Sequence, residues 1–334
     1  MQPTFSFLTT AYRTEDYVAE TIESVFAQTR DDWEHVIVDN GMSDDMARVV
    51  GRYLNDPRIT LVRQENRGYA GGISAAASAA RGRYLCVLDS DDHLMPEFCA
   101  MVGNVLDARP QVDAVTVDAH LFTDTEETLP TGYMRSIGAG ENRRGRGRLT
   151  LLDVLGGRVP YYTAAIRREA WYAVDAYDSG LGEVDESVII WLRLADRFEV
   201  QVLPDRLARY RLRSDSDSRD EATVATFERQ LIRSFQWGAA LAKTADEHAA
   251  LDETVCRLRY EQALRRARSA FLRNDLPGAR SAAREAFAVR RSVRAAVALA
   301  SVTVAPGPIR MLYPAKQRLT SAVGRVAVRL NAPI

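Results

Sequence analysis

Tyr84-Leu85-Cys86-Val87-Leu88-Asp89-Ser90-Asp91-Asp92 is an apolar run that stops in three carboxylates. Apolar residues from Tyr84 to Leu88 without polar alternation predict a strand buried on both faces, as in the middle of a parallel sheet. The acids then stand at its carboxyl end, where open α/β sheets bind their ligands. Asp89 and Asp91, with Ser90 between them, can both turn toward one hard cation. Oxygen ligands of this kind suit Mg²⁺ or Mn²⁺, which keep positions open for substrate phosphates. Ser90, Asp91 and Asp92 are also good capping residues ahead of a helix near Pro96. The residues alone leave a metal site and a helix cap both open.

Upstream, strands alternate with helices. Thr4 to Thr10 reads as a buried strand, and Val18, Ile22, Val25 and Phe26 fall at helical spacing in a crossover running to about Thr29. Trp33 to Val38 is a second strand, ending in Asp39-Asn40-Gly41-Met42-Ser43-Asp44 before a helix near Asp45. Ile59 to Arg63 is a third, followed by Asn66-Arg67-Gly68-Tyr69-Ala70-Gly71-Gly72 and an Ala-rich helix to about Ala80. These glycines read first as loop punctuation, with a phosphate cradle at a helix N-terminus as the alternative. Short loops between such elements predict right-handed βαβ units and a doubly wound sheet.

Downstream, Val112 to Asp118 is a strand, Thr123 to Thr131 an exposed acidic loop, and Arg143 to Arg148 a basic segment that reads first as a solvated connection, with a clamp on an anionic acceptor or the donor diphosphate as the alternative. Gly182-Glu183-Val184-Asp185-Glu186-Ser187 precedes Trp191-Leu192-Arg193, with Asp185 and Glu186 placed to cap a helix. Val200 to Leu203 and Leu207 to Leu212 read as two short strands, and Ser214 to Asp220 as a polar lid. From Ala222 to about Ala300 the pattern is helical; Ala279 to Val289 looks like half of a helical hairpin, without the repetition that an array requires.

Thr10-Ala11-Tyr12-Arg13, Val38 to Asp44, Asn66-Arg67-Gly68 and Leu88 to Asp92 stand in an order and spacing that resemble the family 2 glycosyltransferases of the GT-A fold. The resemblance implies a metal-dependent, inverting transfer of a sugar from a nucleotide-sugar donor, a UDP-sugar by the family's habit, to an acceptor hydroxyl. It places Thr10, Ala11, Tyr12, Asp39, Asn66, Gly68, Asp89, Ser90, Asp91 and Arg213 around the donor. Asp39 would meet a ring N–H of the base, and Asp91 with Asp89 would hold Mn²⁺ or Mg²⁺ at the diphosphate. Asp185 or Glu186 would be the general base, because relatives carry Glu-Asp shortly before a Trp-Leu-Arg helix. Three departures stand out. Asn40 replaces an acid, Gly72-Ile73-Ser74 replaces Ala-Arg-Asn, and Arg213 replaces a histidine; a guanidinium cannot ligate a metal but pairs well with phosphate. A nucleotidyltransferase and a non-catalytic sugar-nucleotide-binding protein are the alternatives.

Composition bounds the rest. The 334 residues carry 44 Lys+Arg and 45 Asp+Glu, a net charge of −1. Residues 257–334 hold 16 of the bases and 3 of the acids, leaving 28 against 42 before them, so a basic end follows an acidic body. A GT-A domain is expected over residues 1–220, its donor half to about 118 and its acceptor half from 119. An α-helical region with a basic amphipathic tail follows over 221–334. That tail points to an anionic membrane surface or a homo-oligomer contact, and its scarcity of aromatic residues argues against nucleic acid. Three cysteines without zinc spacing, no leader pattern and no spanning apolar run fit a cytoplasmic protein, peripheral at the inner face of the membrane. Cell-envelope glycan, glycolipid or glycoconjugate synthesis is the expected setting.

Overall fold

Three apolar runs and the strand before the acids become one parallel block: β1 (Phe5–Ala11), β2 (Trp33–Asp39), β3 (Ile59–Arg63) and β4 (Tyr84–Val87). The computed structural model describes residues 2–136, 147–178, 180–213 and 221–304. β1 pairs in parallel with β2 and β4, and β2 with β3. Every residue of β1, β2 and β4 is buried, as strands covered on both faces require.

The second half of the sheet is mixed. β9 (Ala164–Arg167) runs antiparallel to β4 and to β6 (Ala114–Thr123), and β10 (Val200–Leu212) returns parallel to β6. The path is β3-β2-β1-β4-β9-β6-β10-β5, with β5 (His93–Leu94) at its end; β7 (Thr128–Gly132) pairs with β6, and β8 (Gly147–Leu149) with β10. Helices α1 (Val18–Phe26), α2 (Asp44–Gly51), α3 (Gly68–Ala79), α4 (Phe98–Ala108), α5 (Tyr133–Ser136), α6 (Leu151–Leu155), α7 (Arg168–Ala173) and α8 (Glu186–Arg197) join the strands.

Four local expectations change. The glycines after Asn66 are not a loop: α3 begins at Gly68, whose φ is +73°. A Cβ at Gly72 would stand 2.0 Å from Thr10 Oγ1, so glycine there lets α3 lie directly on the end of β1. Thr123 to Thr131 is not all loop, because Thr128–Gly132 pairs back on β6. Val200 to Leu212 is one strand whose register shifts between Val202 and Ala208, around Pro204, which has no N–H to give. Of the basic segment, Gly147 and Arg148 belong to β8, with Arg148 paired to Glu199 at 2.9 Å; the rest, like the lid at Ser214 to Asp220, lies outside the described residues.

Two compact units result, Met1–Leu251 and Asp252–Ile334. The first extends past residue 220 because α9 (Glu221–Trp237) is fastened to it: Asp185 N donates to Ser234 Oγ at 2.8 Å. The second is built from the later part of α10 (Ala245–Leu272), α11 (Leu276–Val289) and α12 (Val293–Val304). Its core is small and alanine-rich: Ala263, Ala267, Ala270, Ala279, Ala283, Ala286 and Ala295 with Tyr260, Phe271 and Val302. No described helix is long and apolar enough to cross a membrane.

Candidate active site

At the carboxyl ends of β1 and β2 lies a cavity of about 300 Å³ lined by Ala11, Tyr12, Arg13, Glu15, Asp39, Gly41, Ser43 and Met46. Asp39 is 1% exposed. Arg63 Nε donates to its Oδ2 at 2.9 Å, and Ser43 N to its Oδ1 at 3.0 Å. Each carboxylate oxygen keeps a further lone pair for a ligand N–H. Tyr12, 41% exposed, packs over Gly41, where a Cβ would approach the ring to 3.0 Å.

Asn40 explains the missing acid. Its Nδ2 donates to Gly68 O at 2.9 Å, while its Oδ1 accepts from Gln64 Nε2 at 2.8 Å and Arg67 N at 3.1 Å. A carboxylate could not make the first bond, so asparagine here ties β2 to the start of α3. Asn66, exposed, accepts from Gly68 N through its Oδ1 at 2.8 Å. Thr10 Oγ1 is buried without a hydrogen-bond partner.

The acids after β4 are held unequally. Asp92, 1% exposed, accepts from Tyr161 Oη at 2.6 Å, from Tyr162 Oη, and from Arg211 N at 2.8 Å. Burial pushes its carboxyl well above the usual range, with Asp91 and Asp89 adding to the rise. Asp89 accepts from Tyr69 Oη at 2.6 Å, and burial together with Asp91 pushes it up to about 7. Asp91 meets Arg213 Nη1 at 3.3 Å, and that guanidinium lies 4.5 Å from the Tyr17 ring centroid. Ser90 is buried and accepts from Thr14 Oγ1 at 2.8 Å. No helix is capped here, since α4 begins later and Glu97 occupies its N-cap.

Arg211 stands behind the acids. Its side chain is 3% exposed; Nε donates to Asp91 O at 2.9 Å, Nη1 meets Glu126 Oε1 at 3.2 Å, and Nη2 pairs with Glu20. Arg211, Tyr69, Tyr161 and Tyr162 are the site residues that the motifs do not single out. Arg211 sits inside the segment from Arg209 to Arg213, two residues from Arg213, but a tyrosine doublet has no spacing that marks it as a partner of an acid about seventy residues away.

On the other side of the cleft, Asp185 is the N-cap of α8. Its Oδ1 accepts from Ser187 N at 3.0 Å and Ser187 Oγ at 2.5 Å, while burial raises its pKa against those bonds. Glu186 lines a groove of about 550 Å³ with Arg67, Ser74, Ser78 and Tyr177. Burial and the charges of Asp89, Asp185 and Glu186 raise the pKa of the Tyr177 hydroxyl. Tyr177 also stacks on Trp171 at 5.6 Å and meets Tyr69 edge-on at 5.8 Å.

Two neighbouring carboxylates, Asp89 and Asp91, are the oxygen donors suited to a divalent cation. Among the described residues no group of three His, Cys, Asp or Glu side chains is placed to hold a metal. Such a pair fits a cation whose remaining positions are filled by water and phosphate.

Residues 6–172, half of the chain, match the sequence model of the family described as Glycosyl transferase family 2. The chain belongs to that family. Among this glycosyltransferase's relatives is the putative glycosyltransferase EpsH of Bacillus subtilis (strain 168), 33% identical over 129 residues, 38% of this chain and 37% of EpsH. The chondroitin synthase of Escherichia coli is 36% identical over 96 residues, 28% of this chain and 14% of the synthase. The matched stretch therefore spans little more than a third of the first relative and a seventh of the second. In fold, the glycosyltransferase resembles S. aureus TarS (residues 1–349) in complex with UDP-GlcNAc, with a TM-score of 0.60 and 17% identity, covering 89% of this chain and 84% of TarS. It also resembles the mannosyltransferase PcManGT of Pyrobaculum calidifontis in complex with GDP-Man and Mn²⁺, at 0.59 and 19%, covering 99% and 87%. The architecture is GT-A-like, followed by a helical region.

Proposed function

We propose that this glycosyltransferase transfers a sugar from a nucleoside diphosphate donor to an acceptor hydroxyl with inversion, in cell-envelope glycan, glycolipid or glycoconjugate synthesis. The observation that carries it is the convergence at the strand ends: a base-sized cavity over Asp39, the acid pair Asp89 and Asp91, and, across Tyr69 and Tyr177, the carboxylates Asp185 and Glu186 at the start of α8. The donor base enters the cavity of Ala11 and Tyr12, where Asp39 accepts a ring N–H, as a uracil offers. Thr10, Asn66, Gly68 and Ser90 shape the cradle around the donor. Asp91 with Asp89 holds Mn²⁺ or Mg²⁺, and Arg213, now on Asp91, is placed to turn to the diphosphate. The bound cation supplies charge stabilisation as the diphosphate leaves.

Asp185 is the base in this reading. Ser187 N and Oγ both bond to its Oδ1, and Oδ2 takes the acceptor proton while the acceptor oxygen bonds to the anomeric carbon and the bond from that carbon to the phosphate oxygen breaks. The electron pair departs with the nucleoside diphosphate. Glu186 faces the groove along α3, where it meets the acceptor. The domains follow as a GT-A catalytic part over about 1–220 and a helical part over 221–334. The division of charge extends the reading to a peripheral enzyme at the cytoplasmic face of an anionic membrane, where glycolipid acceptors are found.

A thermal-shift screen of UDP-, GDP- and dTDP-sugars, with and without Mn²⁺, tests the donor assignment. A ligand that binds only the folded state at a hundred times its Kd adds about 2.7 kcal/mol. A UDP-sugar should raise Tm, and more so with Mn²⁺. No shift with any nucleotide-sugar would overturn the assignment.

A further inference from the structure

We propose that the outward face of α12 (Val293–Val304) is a docking surface for an anionic lipid bilayer. The proposal rests on the reading of a peripheral enzyme and assigns the surface that makes contact. α12 is apolar on two opposite faces. One is packed inside its own unit, where Ala295 and Ala298 join Tyr260 and Ala286, and Val302 and Leu299 join Phe271 and Ala283. Arg280 Nε fixes that side by donating to Val302 O at 3.0 Å.

The opposite face carries Val293, Val297 and Val304, 82%, 59% and 81% exposed, with exposed Ala300 between them. Spacings of four, three and four residues put these four side chains in one stripe along the helix. A helix with one apolar face buried and the other bare requires a second apolar surface.

Charge decides what that surface is. The three acids of residues 257–334 are already engaged: Glu261 with Arg294 at 2.8 Å, Glu285 with Arg266, and Asp275 with Gly278 N at 2.9 Å. Sixteen bases share the same segment. Arg290, which meets Glu253 at 3.4 Å, stands with Arg291 and Arg294 at the N-terminal end of the stripe, and no acid follows Glu285. A second copy docked through the same face would press one basic segment against another, which like charge disfavours; docking on the acidic body of a second copy is the competing occupant, and self-association of the parent reads it. The chain after Val304, also free of acids, meets the same repulsion. An anionic bilayer offers apolar depth for the valines and negative headgroups for the arginines.

Co-sedimentation of the full-length protein with vesicles of phosphatidylcholine alone, or mixed with phosphatidylglycerol, tests this at low and physiological salt. The protein should sediment with the mixed vesicles, and less so as salt rises. The triple variant Val293→Asp, Val297→Asp, Val304→Asp should keep the parent Tm, because all three side chains are exposed, and bind the mixed vesicles at least about tenfold more weakly. Val297→Trp should bind more tightly, since an indole favours the interface. If the triple variant binds like the parent, the assignment to α12 falls while the peripheral reading stands. If the parent does not distinguish the two vesicles, both fall. If the parent self-associates and only the triple variant does not, the face joins copies and the proposal is overturned. None of these results bears on sugar transfer, because the vesicles carry no sugar.

Discussion

Asp92, buried, and Asp185, half-buried, stand on the two sides of one cleft, yet they are held by opposite means. Asp92 is gripped by Tyr161, Tyr162 and the backbone of Arg211, all distant in sequence. Asp185 is held mainly by its own helix, through Ser187 N and Oγ, with α9 touching only its backbone. The first arrangement ties chemistry to the fold, whereas the second isolates it. Damage at Asp92 should therefore spread through the fold, and damage at Asp185 should stay with turnover.

The largest expected effect is at Asp91, the acid whose side chain is less encumbered than that of Asp92. Asp91→Ala should lower sugar transfer by about 10³-fold, the scale of losing a charge-stabilising group in the transition state, with little change in Tm. Steady-state rates across a Mn²⁺ titration read it, and a rate within tenfold of the parent at saturating Mn²⁺ would break the assignment. Asp185→Asn should cost about 10² to 10³-fold in kcat, a general base's share, with donor affinity unchanged. Glu186→Gln should cost less than about tenfold and act on acceptor KM; the reverse order would move the base to Glu186.

Stability separates the two acids further. Asp92→Ala strands two tyrosine hydroxyls and a backbone N–H in the interior, and should lower unfolding free energy by about 3 kcal/mol. Asp92→Asn keeps one oxygen acceptor and should cost about 1 kcal/mol. Denaturant melts of both variants, set beside Asp185→Ala, would blur the contrast if all three lost the same amount.

The last effect, absent at neutral pH, concerns acid sensitivity under β1 and β2. Thr9 Oγ1 gives its proton to Leu88 O at 2.7 Å, so it accepts from His35 Nε2 at 2.8 Å, and the unprotonated Nδ1 is buried without a partner. Burial pushes His35 down to about 3. Between pH 6.5 and about 3 the unfolded chain binds a proton that the folded chain refuses, so stability rises with pH through that window. The slope is at most about 1.4 kcal/mol per pH unit. His35→Gln should flatten Tm between pH 6.5 and 4; an unaltered acid limb would assign it to other groups.

Much of this was legible in the sequence. Unbroken apolar runs announced β1, β2 and β4, because strands covered on both faces have no solvent side to mark with polar residues. The acids at the end of β4 announced themselves because a buried strand that stops in carboxylates needs a reason. Pairing direction was not legible: β9 enters antiparallel between β4 and β6, and Ala164–Arg167 is too short and apolar to carry a direction. The glycines of α3 were misleading for a related reason. Glycine punctuates loops by composition, but at Gly72 it answers the approach of Thr10, a contact made only when α3 lies on β1.

By itself, then, the sequence determined the family, the GT-A order of strands and helices, the run of acids after β4, and the division into an acidic body and a basic end. These reside in local periodicity and in residues close together along the chain. Tertiary structure alone decided that Asn40 must be an amide, that Asp92 belongs to Tyr161, Tyr162 and Arg211, and that α12 keeps one apolar face bare. Each of these depends on which distant groups are brought within hydrogen-bond or van der Waals reach, and a distance between chain-remote atoms is a property of the fold.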